Sequence, residues 1–199
     1  LSTFHFDETS GILIISVVFL VSTLVIYQIL KQLIDKIFIR EEIARSETLK
    51  EFSAEVSKSL KIDEILDEMV QVIQNTIGVR KVYVCLPNRA GDKYHVTYST
   101  SPLDKRSYEF KADNPVILWL IRHDTSLQLK DFRRTVAYKS MWEEEKHQLD
   151  KNHTRYCAGL KDGDNLVGVV LITDSSAKKR LVYDEVELIS NITSVASIA

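Results

Sequence analysis

The sequence predicts an α+β fold, an antiparallel sheet with helices packed on it, and three stretches carry that prediction. Leu166–Ile172 (LVGVVLI) is too apolar to face water on either side, so it is a strand covered on both faces. Lys161-Asp162-Gly163-Asp164-Asn165 before it is turn chemistry, which pairs that strand with the upstream part of Arg155–Asp174 as a hairpin. After a polar loop at Ser175–Arg180, Leu181–Ala199 places Val186, Ile189, Ile192, Val195 and Ala196 at helical spacing. A covered central strand needs a wider sheet, and upstream residues must supply it.

The chain in order gives four segments: a flank at 1–10, a transmembrane helix at 11–33, a helical, coiled-coil-like linker at 34–60 and a folded domain at 61–199. Thr9–Leu30 carries no charge, and Gly11–Leu30 is nearly continuous Ile, Leu, Val and Phe, long enough to cross a hydrocarbon core of about 30 Å. An apolar run with no polar face argues against a buried core helix. Its length, its acidic upstream flank (Asp7, Glu8) and the lack of a small-residue cleavage site argue against a signal peptide. Lys31, Lys36 and Arg40 follow the run and no basic residue precedes it, which puts everything after Leu30 in the cytoplasm and the chain in the cell membrane. The bilayer is thus the first expected partner. Leu49, Phe52, Val56 and Leu60 recur at 3/4 spacing and form a candidate seam for a homodimer that also involves the terminal helix; the competing reading is a helix packed on its own domain.

Within 61–199 the elements follow one another without a long gap. Asp63 is the expected N-cap of a helix with Ile65, Leu66, Met69, Val70, Ile73 and Ile77 on one face, and Gly78 ends it. Lys81–Leu86 is a strand. Lys93–Ser99 alternates, with Tyr94, Val96 and Tyr98 on one face, and Tyr108–Phe110 is a short third strand. Asn114-Pro115 opens a helix packed by Val116, Ile117, Trp119, Leu120 and Ile121. Leu127–Phe132 alternates as a strand, and Tyr138–His147 reads as a helix with a solvated acidic face at Glu143–Glu145. The net charge of -2 and pI near 6.2 give no case for nucleic acid, which usually needs a basic face. Cys85 and Cys157 sit in apolar strands and read as buried free thiols, and no CxxC, HxxxH or HExxH spacing suggests a metal.

The order and spacing of several pieces within Lys61–Ala199 resemble a GAF domain. They are KIDEILDEMVQVIQNTIG before the first strand, DNPVILWLIRH, SMWEEEKHQL, NLVGVVLITD and LVYDEVELISNITSVASIA. LIDKIFIREEIARSETLKEFSAEVSKSL resembles the membrane-to-GAF connector of bacterial sensors. The sequence departs from the pattern at Gly159, where family members often carry Pro. The resemblance implies a small-ligand sensory module. Its terminal helix would run on into an output domain beyond Ala199, a diguanylate cyclase first and a histidine kinase next, so the chain reads as a piece of a longer protein.

The family's pocket would lie between the sheet and the helices of Asp113–Leu149, with Tyr83, Cys85, Tyr98, Trp119, Asp131, Tyr138, Trp142 and Cys157 as candidate lining and a small organic molecule as ligand. Close packing of the same residues as core is the competing account. An NKFDE-like motif and an Asp-Ile-Pro segment are missing, which argues against cyclic-nucleotide and bilin binding. His95 and His123, the residues a haem would need, are expected to be exposed. No cofactor is named by these residues, and no enzymatic activity is expected within the chain. A ligand-free dimerisation spacer, or a thiol redox enzyme using Cys157, is the alternative function.

Overall fold

The computed structural model describes the backbone of residues 8–58, 61–100, 108–173, 181 and 183–198 and, within the first helix, the side chains of 14–34 and from 43 on. Most of the flank at 1–10, Leu60 of the seam, the loop Ser175–Arg180, Ala199 and the side chains of Lys36 and Arg40 lie outside the described residues. The chain forms two units, Leu1–Ser46 and Glu47–Ala199.

In the first unit the backbone is helical from Glu8, the start of α1 (Glu8–Val56). Ile14–Ile34, 21 residues, is long and apolar enough to cross a membrane by length and composition, and none of it is buried by protein. Two of its hydroxyls are satisfied within the helix: Ser22 and Thr23 each donate to the Phe19 carbonyl at 2.8 Å. Such internal bonding suits a segment in a medium that offers no water.

The second unit contains α2 (Ile62–Ile77), β1 (Lys81–Pro87), β2 (Lys93–Ser99), β3 (Glu109–Lys111), α3 (Pro115–Arg122), β4 (Leu127–Gln128), α4 (Leu129–Phe132), α5 (Val136–Lys139), α6 (Glu143–Lys151), β5 (Thr154–Asp162), β6 (Asn165–Thr173) and α7 (Tyr183–Ile198). The six strands form one sheet in the order β3-β2-β1-β6-β5-β4, with every pairing antiparallel. This is the expected α+β architecture, and β6 is the covered central strand. Its Val170 and Ile172 face one core and its Val169 and Leu171 the other. The β5–β6 turn is tight, Asp162 pairing Asn165, and Gly163 sits at φ +58, where a side chain would be strained.

The first core joins the sheet to α2, α7 and the end of α1. Ile65, Leu66, Met69, Val70, Ile73 and Ile77 of α2 meet Leu188, Ile189 and Ile192 of α7 over Val82, Val84, Ala158 and Leu160. Phe52 and Val56 are buried in this same core, with Leu49 packed against it. Their 3/4 spacing is therefore used inside the chain, as the competing reading of that helix had it. The second core, under α3 to α6, is built on Tyr83, Cys85, Val96, Phe110, Leu120, Leu149 and Cys157.

Several local expectations are corrected. Lys61, in extended conformation, precedes α2 in place of Asp63, and its side chain makes no capping bond. The third strand is shifted by one residue, to Glu109–Lys111. Strand pairing in Leu127–Phe132 stops at Gln128, because Leu129 and Phe132 are both buried and their spacing of three needs a helical turn. Tyr138–His147 is not one helix. α5 ends at Lys139, Met141 turns inward, and α6 restarts after Trp142, which is extended. Met141, Glu145 and Leu149, four apart, form the buried row, so Glu145 leaves the solvated face on which Glu143 and Glu144 remain.

One bulge has a consequence for function. On the β1–β2 pair Val84 opposes Tyr98 but Cys85 opposes Val96, so Thr97 is an extra residue. An extra residue reverses the side-chain alternation. Tyr98 consequently packs on the α2 side, away from Tyr94 and Val96, contrary to strict alternation.

Candidate functional site

The outer surface of α3 carries the candidate site, and the sequence around it explains the geometry. Asn114 caps the helix, its Oδ1 accepting from the Val116 amide at 2.7 Å, and Pro115 occupies the first turn, where its missing N–H costs nothing. Val116, Ile117 and Leu120 face the core. That rotation leaves Pro115, Leu118, Trp119 and Arg122 as an outward stripe. The Trp119 ring stacks on His123, with centroids 4.1 Å apart and planes at 9°, and His123 Nδ1 lies 2.8 Å from the Trp119 carbonyl. The two rings thus hold one another in place at the end of the helix.

The opposite wall comes from α4 and α5. Thr135 separates them and caps α5, its hydroxyl accepting from the Tyr138 amide at 3.2 Å. Phe132 and Tyr138 meet edge to face, centroids 6.1 Å apart. Between the walls lies a groove of about 260 Å³ lined by Pro115, Leu118, Trp119, Arg122, His123, Phe132, Ala137 and Ser140. Its floor is apolar and aromatic. Arg122 has no ion pair or hydrogen bond among the described residues, so its guanidinium is available to a bound group.

The eight residues singled out from the sequence are not gathered around one opening. Trp119 lines the groove, and Tyr138 stands beside it against Phe132. Tyr83, Cys85 and Cys157 are fully buried in the second core, where Tyr83 packs edge to face on Tyr108 at 4.9 Å. Trp142 is 67% exposed, with the Lys111 ammonium 4.8 Å over its ring, and Asp131 is exposed. Tyr98 lies on the other side of the sheet, hydrogen-bonded to Asp67 of α2. Pro115, Leu118, Arg122, Phe132, Ala137 and Ser140 were not legible as lining. The stripe Pro115/Leu118/Trp119/Arg122 is nevertheless visible in the sequence as a 3/4 pattern complementary to the buried one.

Thiol chemistry is disfavoured by the setting. Burial pushes the Cys157 thiol up to about 12, and burial with Cys157 nearby raises Cys85 as well. A thiolate, the reactive species, is suppressed at both. Both cysteines are free. They lie on β1 and β5, two strands apart across β6, roughly 9.6 Å, beyond the reach of a disulfide. His95 and His123 are exposed, and among the described residues no three His, Cys, Asp or Glu side chains gather as a metal site.

The site is connected to α7. Beyond α3, Ser126 Oγ lies 3.0 Å from Ser190 Oγ of α7. Gln128 donates to the Tyr156 hydroxyl at 3.0 Å, and that hydroxyl also accepts from the Leu181 amide at 3.1 Å on the approach to α7. The segment leaving the groove is therefore bonded to the last helix and to its lead-in.

Residues 61–199 match the GAF domain family. No curated protein matches the chain at a significant level. Solved structures similar to it include the GAF domain of a phosphoenolpyruvate-protein phosphotransferase from Acinetobacter (TM-score 0.58, 14% identity, 77% of this chain and 90% of that one). A GAF domain/HD domain protein from Geobacter sulfurreducens is comparably similar (TM-score 0.57, 15% identity, 71% and 93%). So is a segment of a methyl-accepting chemotaxis protein (TM-score 0.59, 13% identity, 74% and 93%). At these identities the structures speak to the fold. The family match spans more than half of the chain, which therefore belongs to the GAF domain family of sensory, non-catalytic signal-transduction modules.

Proposed function

We propose that this chain is a membrane-anchored sensory module that reads a small molecule in the α3–α5 groove and relays occupancy through α7. The observation that carries this reading is the connection between the groove and the exit helix: His123 of the groove leads directly into Ser126, which touches Ser190. A ligand shifts such a module by its differential affinity for two packings of α7, and by nothing else. In this reading Ile14–Ile34 crosses the cell membrane and Lys31, with the basic residues after it, keeps the GAF domain in the cytoplasm. The receiving domain would follow Ala199, a diguanylate cyclase first and a histidine kinase next.

A homodimer through Leu49–Leu60 and α7 belongs to the same proposal. Phe52 and Val56 are committed to the domain's own core, so the contact falls to outward positions such as Ala54 and Tyr183. One observation favours the second reading, a ligand-free dimerisation spacer: Tyr83, Cys85 and Cys157 leave the sheet side of the predicted pocket filled. A thermal-shift screen of small organic molecules on the full chain in lipid nanodiscs separates the two. The sensor reading expects compounds that raise the melting temperature of the wild type but not of Trp119→Ala. A spacer would show no such compound, together with dimerisation that follows protein concentration.

A further inference from the structure

A second opening, of about 430 Å³, lies between the end of α7, the outer edge of β5 and the loop from α3 to β4. The sheet makes room for it: β4 pairs with β5 only at Tyr156 and Cys157, so no strand covers β5 from Ala158 onward. Lys161 reaches in from β5. Its side chain is 16% exposed, and its ammonium donates to the Ile121 carbonyl at 3.1 Å and to Asp124 Oδ1 at 2.7 Å. An ammonium has three N–H groups, so one is left over. The Asp124 carboxylate, 94% exposed and beside His123, also lines the cleft, as do the Asp164 carboxylate and the hydroxyls of Thr125 and Ser194, which have no partner among the described residues.

This set of groups discriminates between ligand classes. A polyanion would meet two carboxylates, Asp124 and Asp164. A polyamine would meet the Lys161 ammonium. A neutral polyhydroxylated molecule satisfies both, because each of its hydroxyls donates once and accepts twice, and the cleft offers an ammonium, carboxylates and hydroxyls together. Ile198, exposed at the rim, offers an apolar surface for the C–H face of a ring. The volume falls in the range of small-molecule sites, about 300–1,000 Å³. We propose that this cleft binds a neutral polyhydroxylated ring, of monosaccharide or cyclitol size, between Lys161, Asp164 and Ser194. Such a ligand ties the last turns of α7 to the β5–β6 turn. The cleft is distinct from the α3–α5 groove, with which it shares His123 at the border.

The test is calorimetric titration of the full chain in lipid nanodiscs with D-glucose and with myo-inositol, alongside citrate and spermidine. Saturable binding of at least one polyol in the millimolar range is expected. It should weaken about tenfold in Asp164→Ala and disappear in Ser194→Leu, which fills the cleft from an exposed position. Both variants should melt at the wild-type temperature without ligand, and Trp119→Ala should bind the polyol normally. Absence of saturable binding by both polyols would overturn the proposal. So would tighter binding of citrate or spermidine, or polyol binding that Ser194→Leu leaves intact.

Discussion

On one side of the sheet α2 and α7 run 16 residues each, while on the other α3, α4, α5 and α6 run 8, 4, 4 and 9. Long amphipathic helices bury a continuous stripe, and tertiary packing holds them as units. Helices of one or two turns are marginal in water and depend on caps and on single buried side chains. The α2–α7 side is accordingly regular, interrupted at the end of α7 by the polar cleft beside β5. The α3–α6 side carries the capping bonds of Asn114 and Thr135, the buried Glu145 and the groove. The difference suits a division of labour: the side of short helices adapts to a ligand, and the side of long helices transmits. Local opening is least costly where buried apolar contact is thinnest, which is where ligand-reading elements are drawn from.

At the sheet surface itself both sides must be equally closed. The largest effect expected is therefore at the thiols. Native Cys85 and Cys157 should resist iodoacetamide at pH 8 and react at the rate of unfolding, followed by mass spectrometry. Alkylation as fast as that of a free thiol would mean that the short-helix side is open down to the strands. The raised Cys157 value also fixes a pH dependence. The folded state keeps the proton while the unfolded chain releases it from its ordinary 9.0, so its contribution to stability is complete below about pH 9 and is lost as pH rises toward about 12.

Core truncations come next. Ile189→Ala in α7 and Leu149→Ala in α6 remove fully buried side chains, and each should cost about 2–5 kcal/mol in urea unfolding followed by circular dichroism. Leu149→Ala should lie toward the lower end, because short helices can settle into the cavity. A larger loss at Leu149 than at Ile189 would break the comparison.

Smaller effects probe the polar groups of the short-helix side. Asn114→Ala removes the α3 cap and should cost about 1 kcal/mol. Glu145 Oε1 accepts from the Lys111 amide at 3.5 Å, whereas its buried Oε2 has no partner among the described residues. Glu145→Gln keeps the first contact and replaces the buried acid with a neutral amide, so it should stabilise by about 1 kcal/mol in the same unfolding measurement. A clear destabilisation would mean that the carboxylate itself holds α6 in place.

The same division separates what was legible in the sequence from what was not. The period of α2, the all-apolar β6 and the turn at Gly163 each express one dominant signal, and their fold followed from it. The short-helix side expresses competing ones. LQLKDF satisfies both a two-residue and a three-residue period, and the burial of Leu129 and Phe132 decides between them. The alternation of KYHVTYS groups Tyr98 with Tyr94, because nothing in it announces the extra residue at Thr97. Glu145 looks solvated within an acidic run, and its burial depends on Met141 and Leu149, four residues to either side. For the candidate site, residue type alone points to Trp119 and Tyr138. Arg122 and Phe132 needed the rotation of α3 and the placement of α4, which tertiary packing sets.

Amide hydrogen exchange across α7 tests the claimed link between groove and exit helix most directly, with the groove filled by Ala137→Trp as a surrogate for a ligand. Ala137 is exposed and lines the groove, so the indole occupies it without entering the core. Protection around Ser190 should change by about threefold or more, and the change should vanish when Ser126→Ala removes the contact to Ser190. Exchange in α7 that is the same with the groove filled and unfilled would contradict the link.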